Sequence, residues 1–161
     1  MIWSDYPLGS TAIHDLYELS VTTTTLAPRA DGSYLWNAIV GLESPPVFGN
    51  DGGMISAACE LASREAAKAA AVGLLATAID AARVSDADLI ALAQRVVRSV
   101  RPSVIDDARV GSVAVAQWAR GDRPLPTYSR RIRAVIALRR IEAETEAELA
   151  AARERAKGRK S

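Results

Sequence analysis

The chain has few of the residues that form disulfides, metal sites and acid–base pairs. Its 161 residues include one cysteine and one histidine. Cys59 alone can form neither an internal disulfide nor a cysteine-based zinc site, and it fits a reducing compartment. His14 alone excludes a histidine pair for acid–base catalysis. We therefore expect no enzyme activity, no catalytic residue, no metal and no cofactor.

Two further absences support this expectation. The segment "GNDGG" (49–53) lacks the lysine and the helix register of a phosphate-binding glycine loop. The adjacent carboxylates Asp106 and Asp107 would turn to different faces of a helix, so they do not make an acid–base pair. The sequence shows no sign of a small-molecule substrate.

Aromatic residues and long apolar runs are also scarce. Aromatic residues make up 5% of the chain, and the 49% that is hydrophobic consists mostly of Ala, Val, Leu and Ile. A core of small aliphatic side chains on closely packed elements favours helices, which predicts an all-α fold.

The sequence has no run of about 18 apolar residues, which a membrane-spanning helix would need, and its first residues lack the basic and then apolar order of a signal peptide. We expect a cytoplasmic protein without membrane contact.

The chain divides into three segments by composition. Residues 1–50 mix Gly, Pro, Thr and Asp and predict an irregular N-terminal segment, which ends in the loop "LESPPVFGNDGG" (42–53). Residues 51–141 predict a helical domain. Residues 142–161 predict a charged extension of its last helix. The predicted fold is a bundle of about five helices with a long C-terminal helix.

The predicted helices follow capping and periodicity signals. Residues 54–83 are strong helix formers with an apolar stripe, and Asn50 or Asp51 could cap them. Ser85, with Asp88 three residues on, predicts a helix over 86–100. Pro102 and Ser103 predict a short helix over 103–109, with Ser103 as its N-cap and Asp106 three residues on as the capping-box acid. A second short helix, "VAVAQWAR", ends at a glycine C-cap, and a long helix over 128–157 follows. The alternation in "VAVAQW" also fits a short strand.

Positive charge is concentrated in residues 101–140. This stretch holds nine arginines and three aspartates, a net charge of +6, whereas the rest of the chain carries −5. Such a local basic segment indicates contact with phosphates. The alternative is a solvated helix face.

Two short helices joined by a turn that contains glycine predict a helix-turn-helix over 103–120. The segment "VAQWARGDRPLPTYSRRIRAVIAL" (115–138) resembles the lambda-repressor-like family of Cro and CI type. The likeness lies in the order Val-x-x-Trp-x-x-Gly, the basic loop with prolines, and a next helix that opens with arginines. It extends over about residues 86–141. The family's usual turn glycine falls at Arg109, with Gly111 two residues later. The resemblance implies binding to double-stranded DNA.

The candidate DNA contacts lie on the second helix of the motif and after it. Gln117 could pair with both N6 and N7 of an adenine, and Val113 and Ala114 could touch thymine methyl groups. Ser112 could donate to a phosphate at the helix N-terminus. Ala116 shares the outward face. The residues suited to phosphates are Arg120, Arg123, Tyr128, Ser129, Arg130 and Arg133.

Two functions fit these features. The first is a transcription regulator of phage or mobile-element type, a repressor that binds its operator as a homodimer and blocks polymerase. Its dimer surface would be the helix at 54–83, the C-terminal helix or the N-terminal region, and the apolar stripe favours the first. The alternative is a helical adaptor module that binds a protein through the small apolar residues of the second motif helix and does not bind DNA.

Overall fold

The computed structural model describes residues 1–25, 27–42 and 53–158. It divides into two compact units. Residues 1–83 with 127–133 form one, here called the sheet unit, and residues 84–126 with 134–161 form the other, here called the helical unit. The predicted boundary between residues 50 and 51, and the predicted caps Asn50 and Asp51, lie outside the described residues.

The sheet unit contains a five-stranded antiparallel sheet with its strands in sequence order. The strands are β1 (Ser4–Tyr6), β2 (Gly9–His14), β3 (Tyr17–Thr23), β4 (Trp36–Leu42) and β5 (Gly53–Leu61). The prediction of an irregular N-terminal segment is therefore wrong, and so is the all-α fold class. The protein is α+β.

The strands show an alternation of apolar and polar residues in the sequence, which overall composition does not reveal. Leu19 and Val21 of β3 alternate with polar residues, and both are fully buried. Their register partners on β4 are Val40 and Ala38, which are also buried. This period of two is typical of a sheet with one face in a core. The β-branched run "VTTTT" belongs in part to β3, where such residues pack well.

The predicted helix over 54–83 is a strand followed by a helix. Residues 53–61 form β5, and α1 spans Arg64–Ala82. Ser63 caps α1, because its side chain accepts a hydrogen bond from the N–H of Ala66. The buried stripe of α1 packs on β3, β4 and β5 and consists of Ala67, Ala71, Leu75, Ala78 and Ala81. The apolar stripe that favoured this segment as a dimer surface is thus used within the unit.

Two basic residues of α1 attach the edge strand β1. Lys68 Nζ lies 2.8 Å from Asp5 Oδ1, and this hydrogen-bonded contact lowers the pKa of Asp5. Arg64 donates to the carbonyls of Tyr6 and Pro7 at 3.1 and 2.6 Å. These contacts hold a three-residue strand that buries no side chain of its own.

The helical unit contains α2 (Asp86–Ser99), α3 (Pro102–Asp107), α4 (Ser112–Arg120) and most of α5 (Tyr128–Gly158). The predicted helices over 86–100 and 128–157 are confirmed, and the strand alternative for "VAVAQW" is wrong. Ser85 caps α2 as predicted and accepts from the N–H of Asp88. Ser103 does not cap α3, because Arg101 holds the cap position and Pro102 begins the helix.

The core of the helical unit is built from aliphatic residues and one aromatic side chain. Its buried members are Leu89, Leu92, Ala93, Val96, Ile105, Val115, Trp118, Ala134, Val135, Leu138 and Ile141. Arg95 Nε donates to Glu142 Oε1 at 2.6 Å, which joins α2 to α5 and raises the pKa of Arg95. Among the described residues of both units, no helix has the length and apolar character needed to cross a membrane.

Candidate nucleic-acid interface

The predicted helix-turn-helix segment forms two short helices. The first, α3, ends at Asp107, and the second, α4, begins at Ser112. The turn between them contains two residues with positive φ, Arg109 at 60° and Gly111 at 84°. The N–H of Arg109 donates to the carbonyl of Asp106 at 2.8 Å. The turn therefore depends on two residues with positive φ.

Arg109 holds a positive φ without being a glycine. A non-glycine residue in the left-handed region carries a conformational cost of about 1–2 kcal/mol. Glycine avoids this cost, but it loses more conformational freedom on folding, and this loss cancels part of the gain. We expect Arg109→Gly to raise the free energy of unfolding of the helical unit by about 0.5–1 kcal/mol. Hydrogen exchange of the α3 and α4 amides would measure this. Arg109→Ala keeps the backbone cost without the guanidinium and should give no gain. An equal gain from both variants would contradict the backbone explanation.

The inner face of α4 is anchored to its neighbours. Val115 and Trp118 are buried, and α4 packs against α2 and α3. Gln94 of α2 donates through Nε2 to the carbonyl of Ala119 at 2.9 Å. That carbonyl is in the last turn of α4, where helical partners are lacking. The helix is therefore held at its middle by packing and at its end by a hydrogen bond.

The C-terminus of α4 closes as predicted at Gly121. Gly121 has a φ of 75°, and its N–H donates to the carbonyl of Trp118. The N–H of Asp122 donates to the carbonyl of Gln117. This pair of bonds is the Schellman motif, in which the left-handed residue is usually glycine. The chain leaves α4 in a fixed direction, toward the loop that contains Arg123.

Two glycine substitutions should have opposite effects on stability. Gly121→Ala is expected to cost about 1 kcal/mol, because alanine is strained at positive φ although its Cβ would meet no atom within 4 Å. Gly73→Ala, inside α1 and equally open, is expected to stabilise its unit by about 0.8–1 kcal/mol through helix propensity. Hydrogen exchange in each unit would give both values. The same sign for both would contradict the assigned conformations.

A carboxylate occupies the N-terminus of α4. Asp106 Oδ1 accepts from the N–H of Ser112 at 2.6 Å, and the Ser112 hydroxyl donates to Asp106 Oδ2 at 2.9 Å. Asp106 was predicted as the capping-box acid of α3, with Ser103 as the cap, but it caps the next helix. The N-cap residue itself, Gly111, has no side chain to do so. Both donors of Ser112 that were predicted to meet a phosphate are bound to Asp106 in this conformation.

The outward face of α4 carries small side chains and one amide. Val113 is 70% exposed. Ala114, Ala116 and Gln117 are half-buried beside it. Gln117 is the only one of these four with a side chain that can form hydrogen bonds to a base edge.

The arginines after this face differ in their partners. Arg120 Nε lies 2.6 Å from Asp122 Oδ2 in an exposed ion pair. Such pairs are worth about 0–1 kcal/mol, so a phosphate could replace Asp122 at little cost. Arg123 is exposed in the loop. Both belong to the helical unit together with α4.

The other predicted phosphate contacts lie in the first turns of α5, within the sheet unit. Tyr128 is 70% exposed and has a φ of 46°. Arg130 and Arg133 are exposed, and Arg133 Nε donates to the carbonyl of Ser129 at 3.4 Å. Ser129 is fully buried, so its side chain is not on the surface. The structure groups the α4 residues together but assigns these four to a different unit.

Sequence reasoning missed the role of Asp106 at this site. The capping-box spacing after Ser103 pointed to α3. The actual hydrogen bond joins residues six positions apart, across the turn, and no local sequence motif encodes that distance.

Comparisons with protein-family models, curated proteins and solved structures found no match to this chain.

Proposed function

We propose that the protein is a DNA-binding transcription regulator, a cytoplasmic repressor that acts by occupying its operator. The observation that supports it is the α3–turn–α4 unit, in which α4 is anchored on one face and presents Val113 and Gln117 on the other. In helix-turn-helix proteins the second helix enters the major groove in this way. The protein would act by binding rather than by catalysis.

In this proposal Gln117 reads a base and the loop arginines meet the backbone. Gln117 would pair with adenine, and Val113 and Ala114 would lie against thymine methyl groups. Arg120 and Arg123 would contact phosphates that flank the groove. With one amide on the face, much of the selectivity would come from methyl contacts and from DNA shape.

Salt dependence provides the test. A duplex selected from random sequence by the full-length protein would be titrated by fluorescence anisotropy between 50 and 200 mM salt. We expect affinity to fall linearly on logarithmic axes, because each phosphate contact displaces counterions. Arg123→Gln should reduce the slope by about 1. Arg29→Gln, the same charge change in the sheet unit, should leave it unchanged.

Gln117→Ala separates base reading from phosphate contact. It should reduce the preference for the selected duplex over a random one and leave the salt slope as it is. Failure to select any duplex, or binding that ignores both salt and Gln117, would contradict the proposal.

A protein partner for the same face is the second candidate. The exposed Val113 and the carboxylate of Asp106 at the N-terminus of α4 favour it, since an anion at this end opposes a phosphate. A protein-binding module would show no salt-dependent affinity for DNA.

A further inference from the structure

The second half of α5 has an unusual separation of charge. Residues 142–149 contain four glutamates and no basic residue, and residues 150–161 contain five basic residues and one glutamate. Three alanines, 150–152, separate the two blocks. From here, residues 142–149 are the acidic block, and residues 153–157, which also lie in α5, are the basic block.

The two blocks do not neutralise each other along one helix. Opposite charges on a helix pair at spacings of three or four residues. The residues at those spacings after Glu146 and Glu148 are Leu149, Ala150, Ala151 and Ala152. Among the described residues, Glu148 and Arg153 form no ion pair, and Glu146 lies close enough to Arg95 of α2 to contribute to the raised pKa of Arg95. Glu142 pairs with Arg95, and Glu144 pairs with Arg140. Pairing within α5 therefore does not explain this distribution.

The charges flank an apolar stripe that is exposed. The helical period places Thr145, Leu149, Ala152 and Ala156 on one side of α5, in line with the buried Leu138. Leu149 is 51% exposed. On the same period, Glu146 and Arg153 lie along one edge of this stripe, and Glu148 and Arg155 lie along the other. The small side chains at 152 and 156 would let a second helix approach closely.

We propose that this stripe is the contact between two copies of the chain, with the α5 helices antiparallel and crossing near Ala150. In this arrangement Leu149 of each copy packs beside Ala152 of the other. The acidic block of each copy meets the basic block of the other along both edges. A parallel arrangement would place glutamates against glutamates. The proposal concerns self-association and does not depend on DNA binding.

Charge reversal tests the pairing in full-length protein by sedimentation equilibrium. The wild type is expected to form a reversible dimer. Glu146→Lys with Glu148→Lys, and separately Arg153→Glu with Arg155→Glu, should each weaken it by about tenfold or more. An equimolar mixture of the two variants should dimerise again, because each altered block meets an opposite charge. Glu154→Lys makes the same charge change on the side of α5 opposite the stripe and should have little effect compared with Glu148→Lys.

Cysteine crosslinking tests the orientation. In a Cys59→Ser background, Thr145→Cys mixed with Ala156→Cys should give a disulfide-linked heterodimer, and Thr145→Cys alone should not crosslink. Circular dichroism would confirm that every variant keeps its helix content. A monomeric wild type, unchanged association after both charge reversals, or efficient crosslinking of Thr145→Cys with itself would overturn the proposal.

Discussion

Replacing Trp118 by alanine is expected to lower the free energy of unfolding of the helical unit by about 3–5 kcal/mol. Trp118 is 7% exposed on the inner face of α4, and α4 packs against α2 and α3. The other buried hydrophobic residues of this unit are aliphatic, and removal of the indole leaves a cavity in the core. Because domains are stable by only about 5–15 kcal/mol, this change should leave the unit partly unfolded. Hydrogen exchange of the amides in residues 86–120 would measure the loss.

Trp118→Phe is the matched control. It keeps an aromatic ring in the core and removes Nε1, a buried donor that has no acceptor among the described residues. An unsatisfied buried N–H is costly, so its removal offsets part of the lost packing. We expect a cost below about 1.5 kcal/mol. A phenylalanine variant as unstable as the alanine variant would show that the indole ring has a role beyond filling space.

The helical unit was predictable because its signals are local. Ser85 and Asp88 mark the start of α2, and Gly121 marks the end of α4. Each depends on residues within one turn of the boundary, where the backbone has unpaired groups to satisfy. Val115 and Trp118 follow at helical spacing, and both are buried. A sequence displays such signals directly.

The sheet unit was not predictable by the same means, because strands depend on partners far along the chain. Leu19 is buried because Val40, 21 residues later, lies beside it in the register. The alanines of β5 have high helix propensity, yet they form a strand because β4 supplies its hydrogen bonds. The high helix propensity of residues 54–83 as a whole gave no sign of the boundary between β5 and α1, where Ser63 caps the helix. Tertiary context outweighed local preference there.

The candidate site depends partly on local helical periodicity and partly on contacts across the turn. The outward position of Val113 follows from the helical period of α4 and its buried Val115. The bond from Ser112 to Asp106 depends on the geometry of the turn, which includes the left-handed Arg109. The electrostatics at the N-terminus of α4 therefore differ from those that the sequence alone suggested. The difference has a measurable consequence for the DNA binding that we propose.

Under the proposed function, Asp106→Asn is expected to strengthen binding to DNA by about tenfold, on selected and random duplexes alike. The carboxylate lies at the end of α4 where helix dipole and backbone N–H groups would otherwise favour a phosphate. Two like charges about 4 Å apart repel by about 1 kcal/mol in water and about 4 kcal/mol near a protein surface, so removal of one suffices for this gain. Fluorescence anisotropy at constant salt would measure it.

Asp106→Asn should also slightly reduce the free energy of unfolding. A gain in DNA affinity together with a loss of stability would identify the role of this carboxylate. Asparagine keeps an oxygen that accepts from the N–H of Ser112, but it loses the interaction of a charge with the helix dipole, worth about 0.3–1 kcal/mol. Asp107→Asn is the control, since it makes the same charge change next to Asp106 and Asp107 makes no bond to Ser112 among the described contacts. If both variants gain equally, net charge alone is responsible. If Asp106→Asn gains nothing while the protein still binds DNA, the N-terminus of α4 does not meet a phosphate.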